Sequence, residues 1–145
     1  MQPTHLNFLA VIVAAVVNMA IGFAWFSPLL FSKLWQQIME VDPADTARNE
    51  AAKKGMGPLF GLVFVGAFLT SYMMARLLGW MEQDTWLGGM RVGFYLWIGL
   101  IMPVTFQFAV FSGKPMGLRM KMFVVQASHY LVVFVATGAL LGAWH

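Results

Sequence analysis

The sequence predicts an all-α integral membrane protein, a four-helix transmembrane bundle built as a single membrane domain over residues 1–145. Two observations predict this fold class. Apolar residues make up 60% of the chain and charged residues 10%, whereas soluble proteins are roughly 25% charged. The apolar residues also form long uninterrupted runs, which a soluble amphipathic helix cannot tolerate because one of its faces must meet water.

Four segments are long enough to cross a bilayer, because a hydrocarbon core of about 30 Å requires about 20 apolar residues of helix. The predicted spans are residues 6–27, 58–78, 91–111 and 122–144. The first span follows no basic segment and is too long for the apolar core of a secretion signal. We therefore expect it to be retained as a transmembrane helix.

The connection between the first two spans, residues 28–57, is predicted to contain two short helices. Ser27 and Pro28 are typical of an N-cap followed by proline at the first helical position. Apolar and polar residues then recur with a helical period, which predicts an amphipathic interfacial helix along the membrane surface. Asp42 and Asp45, followed by a lysine pair, predict a short polar helix whose charges suit its macrodipole.

Basic residues predict the orientation of the bundle. Most of them lie in the connections that follow the first and third spans, namely Lys33, Arg48, Lys53, Lys54, Lys114, Arg119 and Lys121. Arg76 and Arg91 lie at the opposite margin. Because positive charge stays cytoplasmic during insertion, we expect a bacterial inner-membrane protein with both termini outside the cytoplasm. The loop carrying Lys114, Arg119 and Lys121 is expected to contact lipid headgroups.

Small residues recur at intervals of four along several spans. They are Ala10, Ala14, Asn18 and Gly22 in the first span, and the pairs Gly57 and Gly61, Gly89 and Gly93, and Gly138 and Gly142. Small side chains let helices approach closely in lipid. These positions therefore predict helix packing, either within one bundle, which we favour, or between copies in a homo-oligomer.

Polar side chains inside the spans are the candidate functional residues. Asn18, Gln107, Gln126 and His129 all fall in the predicted cytoplasmic half of the membrane when depth is counted at about 1.5 Å per residue. One hypothesis is a hydrated pocket in which His129 binds a ligand or responds to protons. The alternative is a structural role, in which the four side chains hydrogen-bond across helices at about 0.6 kcal/mol each.

Composition disfavours several activities. The chain contains no cysteine, which excludes disulfides and thiolate chemistry. No aspartate or glutamate lies inside a span, so the carboxylate usual in proton-coupled or sodium-coupled transport is missing. Two of the three histidines lie at chain ends, and no catalytic set or nucleotide motif is present. We expect no catalytic residues, metal, cofactor or nucleic-acid partner.

The segment that ends the first span has a recognisable signature. It consists of Gly22, Trp25, Ser27, Pro28, Lys33 and Trp35. These residues resemble the opening signature of a bacterial membrane family catalogued as domain of unknown function 1761, and the stretch from His129 to Trp144 is similar to that family's last helix. Phe26 stands where tyrosine is expected in that family, and Ser32 where glycine is common. The resemblance implies a small four-helix membrane protein and brings no known reaction, ligand or cofactor.

These observations leave three functional hypotheses. The leading one is a non-enzymatic inner-membrane protein that acts through self-association or as an accessory subunit of a membrane complex, its partners being the bilayer and other membrane proteins. The second is a small oligomeric transporter or channel that uses the intramembrane polar cluster, and several copies would be needed because four helices enclose little space. The third is a lipid-modifying enzyme, for which no positioned acid, base or nucleophile is found.

Overall fold

The computed structural model describes residues 6–144, and within that range it is helical and contains no strand. The all-α fold class predicted from the sequence is confirmed. In chain order, the helices are α1 (Phe8–Trp25), α2 (Ser32–Ile38), α3 (Thr46–Lys54), α4 (Met56–Trp80), α5 (Trp86–Leu96), α6 (Met102–Val110) and α7 (Met116–Ala143), with a π-helical turn (Trp97–Ile101) between α5 and α6.

Four helical stretches are long and apolar enough to cross a membrane: α1, α4, the continuous stretch Trp86–Val110, and α7. The chain is therefore a multi-pass membrane protein. The largest difference from the predicted spans is at α7, which begins at Met116 rather than near residue 122. Its first turns carry Arg119 and Lys121, whose long side chains can extend to the headgroup region while the backbone stays helical.

The centre of the bundle is α7. Helices α1, α4, α5 and α6 all pack against it, and its buried fraction is about twice that of each other span. α1 also packs against α4, whereas α5 and α6 have α7 as their main neighbour. The rotation of each other span about its own axis therefore decides which of its side chains face α7 and can contact those of the other spans.

Glycines bring α5 and α7 into backbone contact. A Cβ atom added at Gly89 would lie 2.6 Å from the carbonyl carbon of Gly138, and one added at Gly93 would lie 2.8 Å from that of Phe134. A Cβ atom at Gly142 would lie 3.1 Å from the backbone nitrogen of Gly89. Ordinary carbon contacts are about 3.5 Å or longer. These four predicted packing glycines thus join two helices of the same bundle.

The π-helical turn in the third span precedes Pro103. Proline lacks a backbone N–H, and its ring would collide with the carbonyl group four residues earlier in a regular α-helix. The N–H of Met102 bonds instead to the carbonyl of Trp97, which widens the helix locally. The indole N–H of Trp97 donates to the carbonyl of Ala127 at 2.7 Å. The widened turn is thereby attached to α7.

The amphipathic helix α2 begins at Ser32 rather than at Pro28, so the predicted N-cap is corrected. Residues 28–31 form turns, because the Ser27 hydroxyl bonds to neighbouring backbone groups instead of capping a helix. It donates to the carbonyl of Ala24 at 2.7 Å and accepts the N–H of Leu29 at 3.3 Å. These bonds form a turn between α1 and α2.

Both short helices lie at one end of the bundle. Ile38 of α2 is fully buried against Met122 and Val125 of α7, so the apolar face of α2 packs partly on protein. Asp45 caps α3 by accepting the N–H of Arg48 at 3.1 Å. The connection between α6 and α7 lies at the same end, because α2 packs against the first turns of α7.

We call this the basic end. It is the end that carries Lys33, Arg48, Lys53, Lys54, Lys114, Arg119 and Lys121. The other end carries the turn between α4 and α5, with Glu82 and Asp84, and the C-terminus of α7, since the carbonyl of Thr85 lies against Gly142.

Candidate functional site

Helices α1, α4 and α7 enclose a cleft of about 670 Å³ in the half of the bundle nearer the basic end. Residues of α4 at helical spacing form one wall, from Met56 to Thr70. At about 1.5 Å per residue this wall is about 21 Å long, so the cleft reaches from the end of the span to about the middle of the membrane. Its lining residues are Asn18, Met19, Gly22, Phe23, Phe26, Trp35, Met56, Phe60, Val63, Gly66, Ala67, Thr70, His129 and Tyr130.

The cleft opens towards the bilayer between α1 and α4. Phe23 and Phe60 face each other at the opening with their ring centroids 5.4 Å apart, and both side chains are exposed. The first two turns of α4, residues 56–63, are exposed throughout, which indicates that α4 leans away from α7 here. The outer side of the cleft therefore lies at the lipid-facing surface of the bundle.

His129 is the most deeply buried polar side chain on the cleft wall, with 8% of its surface exposed. Its Nε2 atom lies against Gly22, because a Cβ atom added there would be 3.5 Å from this nitrogen. Within the part of the chain that the structure describes, Nε2 is buried and has no hydrogen-bond partner. An unpaired buried nitrogen costs about 1–3 kcal/mol, so this atom requires an explanation.

Aromatic rings surround the imidazole. Tyr130, Phe26 and Trp25 have ring centroids at 4.9, 5.3 and 6.1 Å from that of His129. Phe26 also packs on Trp35 of α2 at 4.9 Å. The end of α1 and the start of α2 thus build an aromatic wall at the inner side of the cleft.

The signature residues have different roles in this region. The indole N–H of Trp25 donates to the carbonyl of Val125 at 3.1 Å, which fastens the end of α1 to α7. Gly22 and Trp35 line the cleft. Pro28 and Lys33 are exposed and, like Ser27, are not part of the cleft lining.

The structure brings together two of the four predicted polar residues. Asn18 and His129 both line the cleft. Gln107 is exposed on α6, whose buried positions are Thr105 and Ala109, and its side chain therefore points away from α7. The expectation that Gln107 joins the cluster is corrected, because α7 lies between α6 and the cleft.

Gln126 is half-buried and is not among the residues that line the cleft. It lies on α7 three residues before His129 and therefore about 4.5 Å nearer the basic end. Around the helix it points between His129 and Tyr130, which both line the cleft. Its position along α7, and not its rotation, therefore places it outside the lining.

The remaining predicted packing positions divide into two groups. Ala10 and Ala14 are fully buried in the core of the bundle. Gly57 and Gly61 are exposed, and a Cβ atom at either would meet no other described residue within 4 Å. The second pair thus contributes nothing to packing within the described part of the chain.

The predicted headgroup residues lie at the basic end, where α7 starts. Lys114 and Arg119 are half-buried and Lys121 is exposed. The guanidinium group of Arg119 donates to the backbone carbonyl of Lys114, which fixes the short connection between α6 and α7. All three are positioned at the level of the span ends, where lipid headgroups lie.

The cleft does not continue through the bundle. A second cavity of about 290 Å³ lies at the other end, lined by residues that include Asn7, Glu82 and Asp84. Between the two cavities the facing positions of α1, α4 and α7 are filled by side chains with at most 1% exposure, namely Val11, Ala14, Ala15, Ser71, Met74, Val133 and Thr137. This packed layer separates the two cavities.

Sequence reasoning missed the contribution of α4 and the aromatic wall. The residues of α4 that line the cleft recur at intervals of three or four, as one face of a helix does, and this period was visible in the sequence. The contact between His129 and the end of α1 was not, because it depends on tertiary packing. Among residues 6–144 there is no group of three or more His, Asp or Glu side chains placed to hold a metal ion.

Comparison with known proteins identifies a family. One family model, described as "Protein of unknown function (DUF1761)", matches residues 9–142. The match includes every residue that lines the cleft. No curated protein matches the chain. No solved structure matches it either.

Proposed function

The chain belongs to the DUF1761 family of proteins of unknown function, and we propose that it is a non-enzymatic membrane protein that binds a lipophilic small molecule in the cleft between α1, α4 and α7. One observation carries this proposal. The walls of the cleft are mostly apolar, and the polar side chains of Asn18, Thr70 and His129 line it as well. Concave sites with apolar walls and a few polar groups are the usual form of small-molecule sites, and 670 Å³ falls within their usual size of about 300–1,000 Å³.

A polar side chain on the wall would orient a bound molecule. Lipid chains offer no hydrogen-bonding group at this depth, whereas a ligand with a polar group could bond to the half-buried Asn18. The same polar group would fix the orientation of the ligand in an otherwise apolar cleft.

We propose binding without a chemical step. The described lining residues contain no carboxylate, lysine, arginine or serine, so His129 has no charged partner inside the cleft, and the hydroxyl of Thr70 donates to the carbonyl of Gly66. A general base normally acts with a positioned nucleophile or acid within hydrogen-bond reach. Binding is the simpler role for this arrangement.

A transporter or channel is less well supported. Of the four polar side chains that would form the pathway, two lie outside the cleft, and the layer around Val11, Met74 and Val133 separates it from the cavity at the other end. A solute would need both a large rearrangement of the helices and a polar route through that layer. Retention of a lipophilic molecule requires neither.

The test compares two glycine substitutions on α4. Gly66 lines the cleft and Gly61 does not, and at both positions an added Cβ atom would meet no other described residue within 4 Å. Gly66→Leu should fill the cleft without disturbing the fold, and Gly61→Leu is the matched control. Organic extracts of the purified proteins, quantified by mass spectrometry, should show a lipophile retained by wild type and Gly61→Leu and lost from Gly66→Leu. Equal content in all three proteins would refute the proposal.

Self-association along α4 is a second candidate function. Glycine costs about 0.5–1 kcal/mol relative to alanine inside a helix, and at Gly57 and Gly61 no packing among the described residues offsets that cost. The same spacing in α5 and α7 supports close helix contact. We propose that a second copy of the chain packs against this face of α4, with an accessory role in a larger complex as the alternative.

Gly66→Leu and Gly61→Leu also test self-association, with their roles exchanged: Gly61→Leu is now the disruptive variant and Gly66→Leu the control. Gly57 and Gly61 each follow a cleft-lining residue by one position and are therefore offset from the cleft by about 100° around α4. Gly61→Leu should convert a dimer in nanodiscs or mild detergent into a monomer, while Gly66→Leu should stay dimeric. A wild-type protein that is monomeric in lipid at every concentration would exclude self-association.

We further propose that the protein resides in a bacterial inner membrane with the basic end in the cytoplasm and both termini on the other side. Support comes from the clustering of lysine and arginine at the basic end, opposed by Arg76 and Arg91 near the other membrane surface. Such asymmetry sets the orientation of short-loop membrane proteins.

A further inference from the structure

We infer that the cleft takes the alkyl chain of an anionic amphiphile, with its acidic head beside Lys53 at the basic end and a hydroxyl group partway along the chain beside Asn18. This inference rests on the proposed binding function and names the class of ligand. It follows from the shape of the cleft, the line of residues along α4 and the depth of Asn18 on α1.

The cleft has the proportions of one extended alkyl chain. Its volume of about 670 Å³, spread over a wall of about 21 Å, gives a mean cross-section of about 32 Å². Carbon atoms in contact lie about 3.5–4.0 Å apart, which gives an alkyl chain a cross-section of roughly 20 Å². Half of the hydrocarbon core is about 15 Å thick. A single chain in the cleft would therefore run from the headgroup level to the middle of the bilayer.

A lysine continues the line of α4 residues that form the cleft wall. Five lining residues recur at alternating intervals of four and three, as one face of a helix does, namely Met56, Phe60, Val63, Ala67 and Thr70. Lys53 precedes Met56 by three residues and extends this series into α3. Gly55, between α3 and α4, has φ −83° and ψ −7°, in the right-handed helical region. The series therefore continues across the junction and places Lys53 at the mouth of the cleft.

The charges at the mouth favour an anionic head that stays there. Lys53 is exposed and ends α3 together with Lys54, and lysine near a membrane surface attracts anionic headgroups. Among the described residues, no Asp, Glu, Lys or Arg lines the cleft itself. A carboxylate that moved further in would lose its hydration without gaining an opposite charge. The acidic group is therefore expected at the mouth and only the chain inside.

The contact between α1 and α4 gives the depth of Asn18 below the mouth. Phe23 of α1 faces Phe60 of α4, with their ring centroids 5.4 Å apart, so these two positions lie at similar depth. Asn18 is five residues further from the basic end than Phe23. Phe60 is four residues further from that end than Met56. At about 1.5 Å per residue, Asn18 therefore lies about 13–14 Å deeper than Met56.

This depth determines where a polar group on the chain would meet the amide. Carbon–carbon bonds of about 1.5 Å advance an extended chain by about 1.25 Å per carbon, so 13–14 Å corresponds to about eleven bonds. With the acid carbon at the level of Met56, a hydroxyl near carbon 12 would lie beside Asn18. Asn18 is half-buried and lines the cleft, and its amide can both donate to a hydroxyl and accept from one. A hydroxyl close to the acid group would be too shallow to reach it.

The test compares 12-hydroxystearate, 2-hydroxystearate and stearate, which share one charge and one chain length. Each competes with deuterated stearate for wild-type protein in phosphatidylcholine nanodiscs, and native mass spectrometry counts the bound forms. One fatty acid should bind per chain. 12-Hydroxystearate should bind about fivefold more tightly than the other two, which is the size expected of one hydrogen bond, or about 1 kcal/mol at 1.4 kcal/mol per tenfold change.

Two variants assign the ends of the ligand. Asn18→Leu keeps the size of the side chain and removes the amide, so it should abolish the preference for 12-hydroxystearate while stearate still binds. Lys53→Gln should weaken all three acids severalfold and leave their methyl esters unchanged. Lys54→Gln is the matched control and should bind as wild type does, because the next residue is turned by about 100° around the helix.

The outcomes separate the two proposals. If the purified protein retains a lipophile that Gly66→Leu loses, but none of the fatty acids displaces it, the ligand class is wrong and the binding function stands. Equal binding of the two hydroxystearates, or equal effects of Lys53→Gln and Lys54→Gln, would also overturn the inference. If neither the native lipophile nor the fatty acids respond to Gly66→Leu, the cleft is not a binding site and both proposals fail.

Discussion

Replacing Gly89 by alanine should destabilise the bundle by separating α5 from α7. The new methyl group would lie 2.6 Å from the carbonyl carbon of Gly138 and 3.2 Å from the Cα atom of Gly142. Both are backbone atoms of a regular helix, so neither can rotate out of the way. The two helices would have to move apart by on the order of 1 Å to restore a normal carbon contact.

The expected loss is about 1–2 kcal/mol of unfolding free energy. Overpacking in a close-packed interface costs about 1–3 kcal/mol. Alanine recovers about 0.5–1 kcal/mol of this, because it loses less backbone entropy than glycine in a helix. The steric term is the larger of the two, so the sign of the net effect is destabilising.

The assay is reversible unfolding in mixed micelles, in which the mole fraction of dodecyl sulfate is raised in dodecyl maltoside and the change is followed by tryptophan fluorescence. Gly61→Ala is the matched control, since an added Cβ atom at that position would meet no other described residue within 4 Å. It should unfold at the same or a slightly higher mole fraction than wild type. If Gly89→Ala and Gly61→Ala unfold together, α5 and α7 are not in backbone contact and the reasoning is refuted.

Three further predictions concern the core and the orientation. Trp25→Phe removes the indole donor to the carbonyl of Val125. It should lower the unfolding free energy by about 0.6 kcal/mol, the mean for hydrogen bonds between membrane helices. An unchanged midpoint in the same micelle titration would show that the bond is not formed. Ser71→Ala removes a hydroxyl that is buried without a partner among the described residues and should leave stability equal or raise it by up to about 1 kcal/mol, whereas a clear loss would reveal a partner. The native chain has no cysteine, so a single introduced cysteine reports the side of the membrane on which it lies. A membrane-impermeant maleimide applied to intact cells should label Asp84→Cys and should not label Lys53→Cys. The reverse pattern would overturn the proposed topology.

Much of the fold could be predicted because it follows from the solvent. Long apolar runs can satisfy their backbone polar groups in lipid only as helices, so the four spans and the two short connecting helices were recognisable from composition and period. The main error in the predicted helices was the start of α2, which is Ser32 and not Pro28. It arose because a backbone carbonyl of α1 competes for the Ser27 hydroxyl. The hydroxyl of Ser27 bonds to the carbonyl of Ala24 and forms a turn instead of capping α2.

The candidate site could be predicted only in part. Asn18 and His129 were identified because polar side chains in a bilayer are costly and therefore conspicuous. Gln107 was identified for the same reason, yet it faces away from the cleft. Polarity marks a side chain as unusual, but it does not say which side of its helix faces protein.

The sequence by itself determined that this chain lives in a membrane, where its helices lie along the chain and which of its ends is basic, since each of these depends on residue type and local spacing. Only the tertiary structure decided the rotation of each helix about its axis. That rotation brought Gly89 and Gly138 into backbone contact, left Gly57 and Gly61 exposed, and placed His129 against Gly22. The physical reason is that all sides of these helices are apolar, so hydrophobicity cannot orient them as it does in water, and the fit of small residues between particular helices must do so instead.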